Sequence, residues 1–120
     1  MEQLLLHLFG DYISQSSWMA RHKTRNTAKG YLACGWHATA YTLPFLLIGS
    51  PASVFVIGIT HFLIDKYRLA IYFMKIRDRT WTADNSGSSA ETPPFMAVWL
   101  MVITDNTIHL IINFLSLKYL

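Results

Sequence analysis

Residues 52–75 read ASVFVIGITHFLIDKYRLAIYFMK, an apolar stretch with one histidine and one aspartate near its middle. A helix needs about 20 apolar residues to cross the hydrocarbon of a bilayer, so this stretch is long enough to span it. His61 and Asp65 are four positions apart and therefore lie on one face of such a helix. Lipid penalises a polar face, so the pattern predicts a membrane helix whose His and Asp turn inward.

Three further stretches have the same apolar character. Pro44 should disturb the helix that contains it, and Gly49-Ser50-Pro51 favours a tight turn followed by a new helix. We therefore predict an all-α fold, an integral membrane four-helix bundle in which residues 1–120 form a single domain. The predicted helices are residues 4–20, 30–49, 52–75 and 95–118.

Two parts of the chain are less regular. Residues 80–94 are rich in Ser, Gly and Pro and predict a mobile surface loop. The first helix contains Asp11, Gln15 and several serines, which dilute its apolar character. For that segment, an amphipathic helix on the membrane surface is the alternative to a full crossing.

The charges are few and unevenly placed. Charged residues are 14% of the chain, fewer than the about 25% of a typical soluble domain. Most of the Lys and Arg residues lie in residues 21–29 and 66–79, next to the first and third loops. The positive-inside rule then predicts a multi-pass protein of the inner (cytoplasmic) membrane with both basic loops in the cytoplasm. These residues form no aromatic-interleaved basic face, so we expect the lipid bilayer as partner and no nucleic acid.

Ionisable side chains occupy the predicted helices at similar depth. A charge at the centre of a membrane helix costs about 2.5–3.5 kcal/mol, so each of these groups needs a partner. Because they lie near the midpoints of their segments, antiparallel helices can bring them together. The set consists of three pairs at a spacing of four, His7 with Asp11, His61 with Asp65 and Asp105 with His109, together with His37.

Imidazole and carboxylate groups are ligands for divalent Zn, Mn or Fe, and a cation would offset the clustered carboxylates. The sequence therefore predicts a divalent metal site with His7, Asp11, His61, Asp65, Asp105 and His109 as ligands. His37 is predicted to be catalytic, as an acid/base, or a further ligand. Arg68 is predicted either to stabilise an anion at the site or to extend toward the membrane surface. The alternative is a structural network of His–Asp hydrogen bonds with an Asp65–Arg68 ion pair.

These motifs resemble a family of small bacterial and phage membrane proteins that is described only as a domain of unknown function. The resemblance covers nearly the whole chain. Asn106 departs from the Gln that the family usually has there, and Arg68 stands where Lys is common. The resemblance implies no established activity, although the motifs are similar to those of membrane-embedded metal-dependent hydrolases. It rests on His7-Leu-Phe-Gly10-Asp11 with Gln15, Trp18 and Lys23, on His37, on His61-Phe-Leu-Ile-Asp65 with Arg68, and on Asp105-Asn106 with His109.

Three functions are consistent with these features. The first is a metal-dependent hydrolase acting on a phosphate-containing or lipid-linked substrate, with Arg68 stabilising its charge. The second is transport of protons or divalent cations, which would need a homo-oligomer because four short helices leave little room for a pore. The third is a non-enzymatic interaction factor of phage or bacterial origin, in which the polar residues serve helix packing.

Overall fold

The computed structural model describes residues 1–120 as an all-α fold with six α-helices and no strand. A π-helical turn, Phe9–Ile13, follows the first helix, and a 3-10 turn, Asp84–Gly87, precedes the last. The α-helices are α1 (Glu2–Leu8), α2 (Ser17–His22), α3 (Ala28–Thr42), α4 (Pro51–Tyr67), α5 (Leu69–Asp78) and α6 (Pro94–Tyr119). α3 packs against α4, and α6 contacts α1, α4 and α5.

The first predicted segment, residues 4–20, is interrupted between the π-helical turn and α2. Serine side chains replace backbone partners at the interruption: the Ser14 hydroxyl donates to the Gly10 carbonyl at 2.8 Å. The Ser16 hydroxyl accepts from the Met19 amide at 3.2 Å and caps α2. Serine competes with helical hydrogen bonds in this way, and it is favoured at helix starts. The helix therefore ends where its serines are concentrated.

The third predicted segment, residues 52–75, divides into α4 and α5 at Arg68. Arg68 has φ 52°, a left-handed conformation that ends α4, and its amide bonds the Asp65 carbonyl at 3.4 Å. Glycine or asparagine is the usual residue at such a position, so the sequence contained no signal for this break.

The second segment and the turn after it follow the prediction. At Leu43 the α-helix changes to a 3-10 helix, Leu43–Leu47, which contains Pro44. The Ser50 hydroxyl accepts from the Ser53 amide at 3.1 Å, and Pro51 is the first residue of α4. The predicted effects of Pro44 and of the Gly49-Ser50-Pro51 turn are confirmed, and α3 and α4 form a hairpin.

Residues 80–94 are held by their own hydrogen bonds. The side-chain amide of Asn85 donates to the carbonyls of Ser89 and Thr92 at 2.8 and 2.9 Å. The Thr80 hydroxyl donates to the Gly87 carbonyl at 2.8 Å. The structure thus gives this segment a defined turn, while its mobility stays a prediction.

Polar side chains lie inside the molecule and many large apolar ones lie outside. His37, His61 and His109 are 0%, 1% and 2% exposed, whereas Leu47 and Phe55 are 82% and 68% exposed. The buried apolar cluster is small and consists of Tyr41, Phe45, Val54 and Ile57. One helix, Pro94–Tyr119, is long and apolar enough to cross a membrane. The interruptions described above leave α3 with 15 residues and α4 with 17.

Candidate metal centre

Four parts of the chain bring the predicted polar residues together. α3 carries His37, α4 carries His61 and Asp65, α6 carries His109, and the π-helical turn after α1 carries Asp11. The predicted stacking of residues four apart is confirmed. The separations are 3.5 Å for His7 Nδ1 and Asp11 Oδ2, 3.6 Å for His61 Nε2 and Asp65 Oδ2, and 3.5 Å for His109 Nε2 and Asp105 Oδ2.

Four of these side chains each place one atom within 3.6 Å of at least two of the others. His37 Nε2 lies 3.0 Å from His61 Nε2, 3.1 Å from Asp65 Oδ2 and 3.4 Å from Asp11 Oδ1. His61 Nε2 lies 3.4 Å from Asp11 Oδ1 and 3.6 Å from Asp65 Oδ2. Every separation that involves an imidazole nitrogen is therefore between 3.0 and 3.6 Å. We call these four residues the tetrad.

Five of the six separations within the tetrad are close to those of a tetrahedral coordination shell. Zinc lies about 2.0–2.1 Å from imidazole nitrogen and carboxylate oxygen, which places tetrahedral ligands about 3.3–3.4 Å apart. Hydrogen bonding explains the arrangement less completely, because an imidazole nitrogen carries at most one proton, whereas Nε2 of His37 and Nε2 of His61 each have three polar atoms within 3.6 Å. Nδ1 of His37 has no hydrogen-bond partner in the protein, so that ring makes all its polar contacts through Nε2.

A lysine contributes the nearest positive charge. Lys23, the residue after α2, places Nζ 2.6 Å from Asp65 Oδ2. The Asp65–Arg68 ion pair of the structural alternative does not form, because Asp65 pairs with Lys23 and Arg68 is exposed. Lys23 was named before only as part of the family motif, and its distance from the helices in sequence gave no signal of this contact.

A second lysine fixes the loop that carries Lys23. Lys66 is 2% exposed, and its Nζ donates to the carbonyls of Arg25 at 2.5 Å and of Lys23 at 3.3 Å. The same Nζ lies 3.9 Å from the centre of the Tyr31 ring. Lys66 of α4 and Lys23 of the first loop thus attach that loop to the centre.

His109 lies beside the tetrad. Its Nδ1 is 3.2 Å from His61 Nδ1, the nitrogen of His61 that points away from the tetrad. Its Nε2 is 3.3 Å from Asp65 Oδ1 and 3.5 Å from Asp105 Oδ2. His109 therefore connects a tetrad histidine to two carboxylates.

His7 uses both ring nitrogens in hydrogen bonds. Its Nε2 donates to Asn106 Oδ1 at 2.8 Å, and its Nδ1 accepts from the Tyr41 hydroxyl at 2.8 Å. Tyr41 in turn accepts from Asn113 Nδ2 at 2.7 Å, and its ring stacks on that of His61 at a centroid distance of 3.6 Å. Tyr41 was not among the predicted site residues; its signal was the spacing of four residues from His37.

A cavity of about 210 Å³ opens beside the tetrad. Three carboxylates line it, and so do the side chains of Lys23 and Arg68. Asp105 is the most exposed of the carboxylates that contact a histidine, at 27%. The cavity wall therefore has positively charged groups that can bind an anion, and next to them carboxylates that can bind a cation. The carboxylates belong to Asp11, Asp65 and Asp105.

Comparison with known proteins gives one match. Neither the curated proteins nor the solved structures include a significant match to this chain. A family profile covers residues 1–117, which is nearly the whole chain and includes every residue of the centre. The chain therefore belongs to the family described as protein of unknown function DUF3307.

Proposed function

We propose that this protein is a membrane-embedded, metal-dependent hydrolase whose tetrad binds one divalent cation. The observation that carries the proposal is the convergence of His37 Nε2, His61 Nε2, Asp11 Oδ1 and Asp65 Oδ2, in which each separation that involves an imidazole nitrogen is 3.0 to 3.6 Å. Two imidazoles and two carboxylates suit Zn, Mn or Fe(II), and the two carboxylates balance the charge of a divalent ion.

The proposed ligand set differs from the set predicted from sequence. His37 is a ligand here, because its only polar contacts are those of Nε2 within the tetrad. His7 supports the centre through Tyr41, since both of its nitrogens are engaged in hydrogen bonds. Asp105 and His109 lie outside the four-atom shell, against Asp65 and the cavity.

The exposed apolar surface supports a multi-pass membrane location. Soluble proteins bury their large apolar side chains, whereas this chain exposes Leu47, Phe55 and Ile76 and buries four histidines. Lipid around the molecule removes that conflict, with the basic loops placed in the cytoplasm. Single cysteines at Thr24 and Ser50, in a Cys34→Ala background, test the topology. A membrane-impermeant thiol reagent should label them from opposite sides; labelling from the same side would contradict it.

The cavity supports a phosphate-containing or lipid-linked substrate. Lys23 and Arg68 supply positive charge for a phosphate group beside the tetrad. A bound divalent cation would activate water for attack at phosphorus. Asp105 would accept the proton of that water as the new O–P bond forms, and it would return the same proton to the leaving alkoxide as the ester P–O bond breaks.

Metal content and hydrolysis test this function together. Detergent-purified protein without an affinity tag should contain one Zn, Mn or Fe per chain, and it should hydrolyse p-nitrophenyl phosphate or bis-p-nitrophenyl phosphate. Chelation or Asp65→Asn should abolish both properties, and His22→Ala, which changes a histidine outside the centre, should retain both. Wild-type protein without bound metal would contradict the metal centre, and metal-loaded protein without hydrolysis would contradict the enzyme.

A proton pathway is the second candidate, because three imidazoles follow one another in the centre. The His37–His61 and His61–His109 nitrogen separations are 3.0 and 3.2 Å, within reach of proton transfer. Proteoliposomes with an internal pH dye distinguish the two functions. Proton flux that Asp11→Asn abolishes would favour transport, whereas sealed vesicles with metal-dependent hydrolysis would favour the enzyme.

A further inference from the structure

We infer that His109 is a positioning residue that fixes the proton of His61, and that the centre therefore holds one cation and not two. The inference rests on the proposed function, since it takes His61 Nε2 as a metal ligand. It concerns how many ions the histidines can bind, which the metal centre by itself leaves open.

Two groups of side chains are close enough to bind an ion, and they share His61. One consists of Asp11, His37 and His61, and the other of His61, Asp65 and His109. Centres with two ions about 3.5–4 Å apart are common in phosphate-ester hydrolases, so a second ion between Asp65 and His109 has to be considered.

With both rings neutral, the proton positions leave no lone pair on His109 Nε2 for that second ion. A neutral imidazole has one N–H and one lone pair. When His61 Nε2 turns its lone pair to a cation, its proton is on Nδ1, which lies 3.2 Å from His109 Nδ1. His109 Nδ1 must then accept, so the proton of His109 is on Nε2. That N–H donates to Asp65 Oδ1 at 3.3 Å, with Asp105 Oδ2 at 3.5 Å as the second acceptor.

The opposite assignment places two protons against each other. If His109 Nε2 bound a second ion, His109 Nδ1 would carry the proton, and it would face the Nδ1–H of His61 across 3.2 Å. Two N–H groups that face each other in a buried site repel and leave each other unsatisfied. The Nδ1 contact between these rings is thus compatible with one bound cation.

The arrangement also gives His109 a role in binding the first ion. Metal-bound histidines usually donate their other N–H to an acceptor, which fixes the ring and makes it a better ligand. His109 provides that acceptor for His61, and Asp65 holds His109 in turn. Asp65 therefore acts through both oxygens, with Oδ2 in the tetrad and Oδ1 against His109.

Cobalt binding to the full chain in detergent tests the inference. Wild type should bind one Co²⁺ per chain, and His61→Ala should lose the binding. His109→Ala should still bind one Co²⁺ with an affinity about 10–100-fold lower, the usual effect of removing a group that supports a ligand. His109→Asn should recover most of that affinity, since its amide oxygen can accept from His61 Nδ1. His22→Ala is the matched control and should equal wild type.

The ¹⁵N spectrum of histidine-labelled, Zn²⁺-loaded protein gives an independent readout. It should show the proton of His61 on Nδ1 and that of His109 on Nε2. Two Co²⁺ ions per wild-type chain, or complete loss of binding in His109→Ala, would overturn the inference while leaving a metal centre in place. No Co²⁺ bound by wild type would overturn the proposed function and the inference together.

Discussion

Lys23 Nζ lies 2.6 Å from Asp65 Oδ2, although the two residues are 42 positions apart in the chain. The contact joins the first loop to the middle of the buried polar cluster. The side chain of Asp65 is 4% exposed, so protein groups and not solvent must balance the negative charge of its carboxylate. Lys23 and a metal ion are two cations that can share this carboxylate, which leads to the first prediction.

Replacing Lys23 should make folding more dependent on metal. We expect Lys23→Met to lower the free energy of unfolding of the metal-free protein by about 1.5–3 kcal/mol, the usual contribution of a hydrogen bond to a charged group. Because a divalent ion then becomes the main partner of Asp65, Zn²⁺ should raise the unfolding midpoint more in this variant than in wild type. Thermal unfolding with and without Zn²⁺ measures both effects, with Lys29→Met as the exposed control. Equal stability of wild type and variant without metal would contradict the prediction.

Removing the buried ammonium of Lys66 should loosen the first loop. Lys66→Met leaves the carbonyls of Arg25 and Lys23 without this donor, which should lower stability by about 1–3 kcal/mol. Hydrogen exchange of residues 23–27 should become faster. Lys75→Met is a matched control, because Lys75 also lies over a tyrosine ring but bonds no loop carbonyl. Unchanged exchange in the loop would show that Lys66 does not hold it.

Adding one methyl group at Gly10 should disturb the centre through Tyr41. A Cβ at Gly10 would lie 3.1 Å from Tyr41 Cα and would overlap Cδ2 of the ring. Displacing Tyr41 also moves its stacking on His61, so Gly10→Ala should lower stability by about 1–3 kcal/mol and weaken metal binding. Gly35→Ala is the control, because its Cβ would meet nothing within 4 Å. Unfolding and Co²⁺ titration of both variants measure stability and metal affinity. Full Co²⁺ affinity in Gly10→Ala would show that Tyr41 does not support the metal centre.

Arg68 has a left-handed backbone conformation, and replacing it by glycine should raise the stability of the protein and weaken its binding of substrate. At φ 52° an L-residue is strained, so Arg68→Gly should raise stability by about 1 kcal/mol. Its guanidinium lines the cavity, so the same change should raise the KM for a phosphate ester. Arg79→Gly removes the same strain, at φ 54°, outside the cavity and should leave KM unchanged. Equal KM values for the two variants would remove Arg68 from substrate binding.

Contacts within one helix could be predicted from the sequence. His61 and Asp65, like the other two pairs, are on one face because of helical geometry alone, and the predicted hydrocarbon surroundings were the reason to expect such faces to turn inward. The turn at Ser50 and the change of helix type at Pro44 also follow from local rules. All of these features depend on residues that are close in the chain.

Contacts between distant parts could not be predicted. We propose His37 as a ligand and His7 as a supporting residue because of how far each ring reaches across the bundle, and sequence spacing does not show that distance. The Lys23–Asp65 contact depends on the path of a loop, and the break at Arg68 has no signal in its residue type. The tautomer that we infer for His109 likewise depends on the separation of two nitrogens on different helices.

X-ray absorption at the Zn or Co edge of the metal-loaded protein tests the central claim most directly. We predict one ion per chain with two imidazole nitrogens and two carboxylate oxygens at about 2.0–2.2 Å. In His37→Ala the imidazole contribution should fall from two to one. A wild-type spectrum without imidazole ligands, or one that His37→Ala leaves unchanged, would contradict the claim that the tetrad binds the cation.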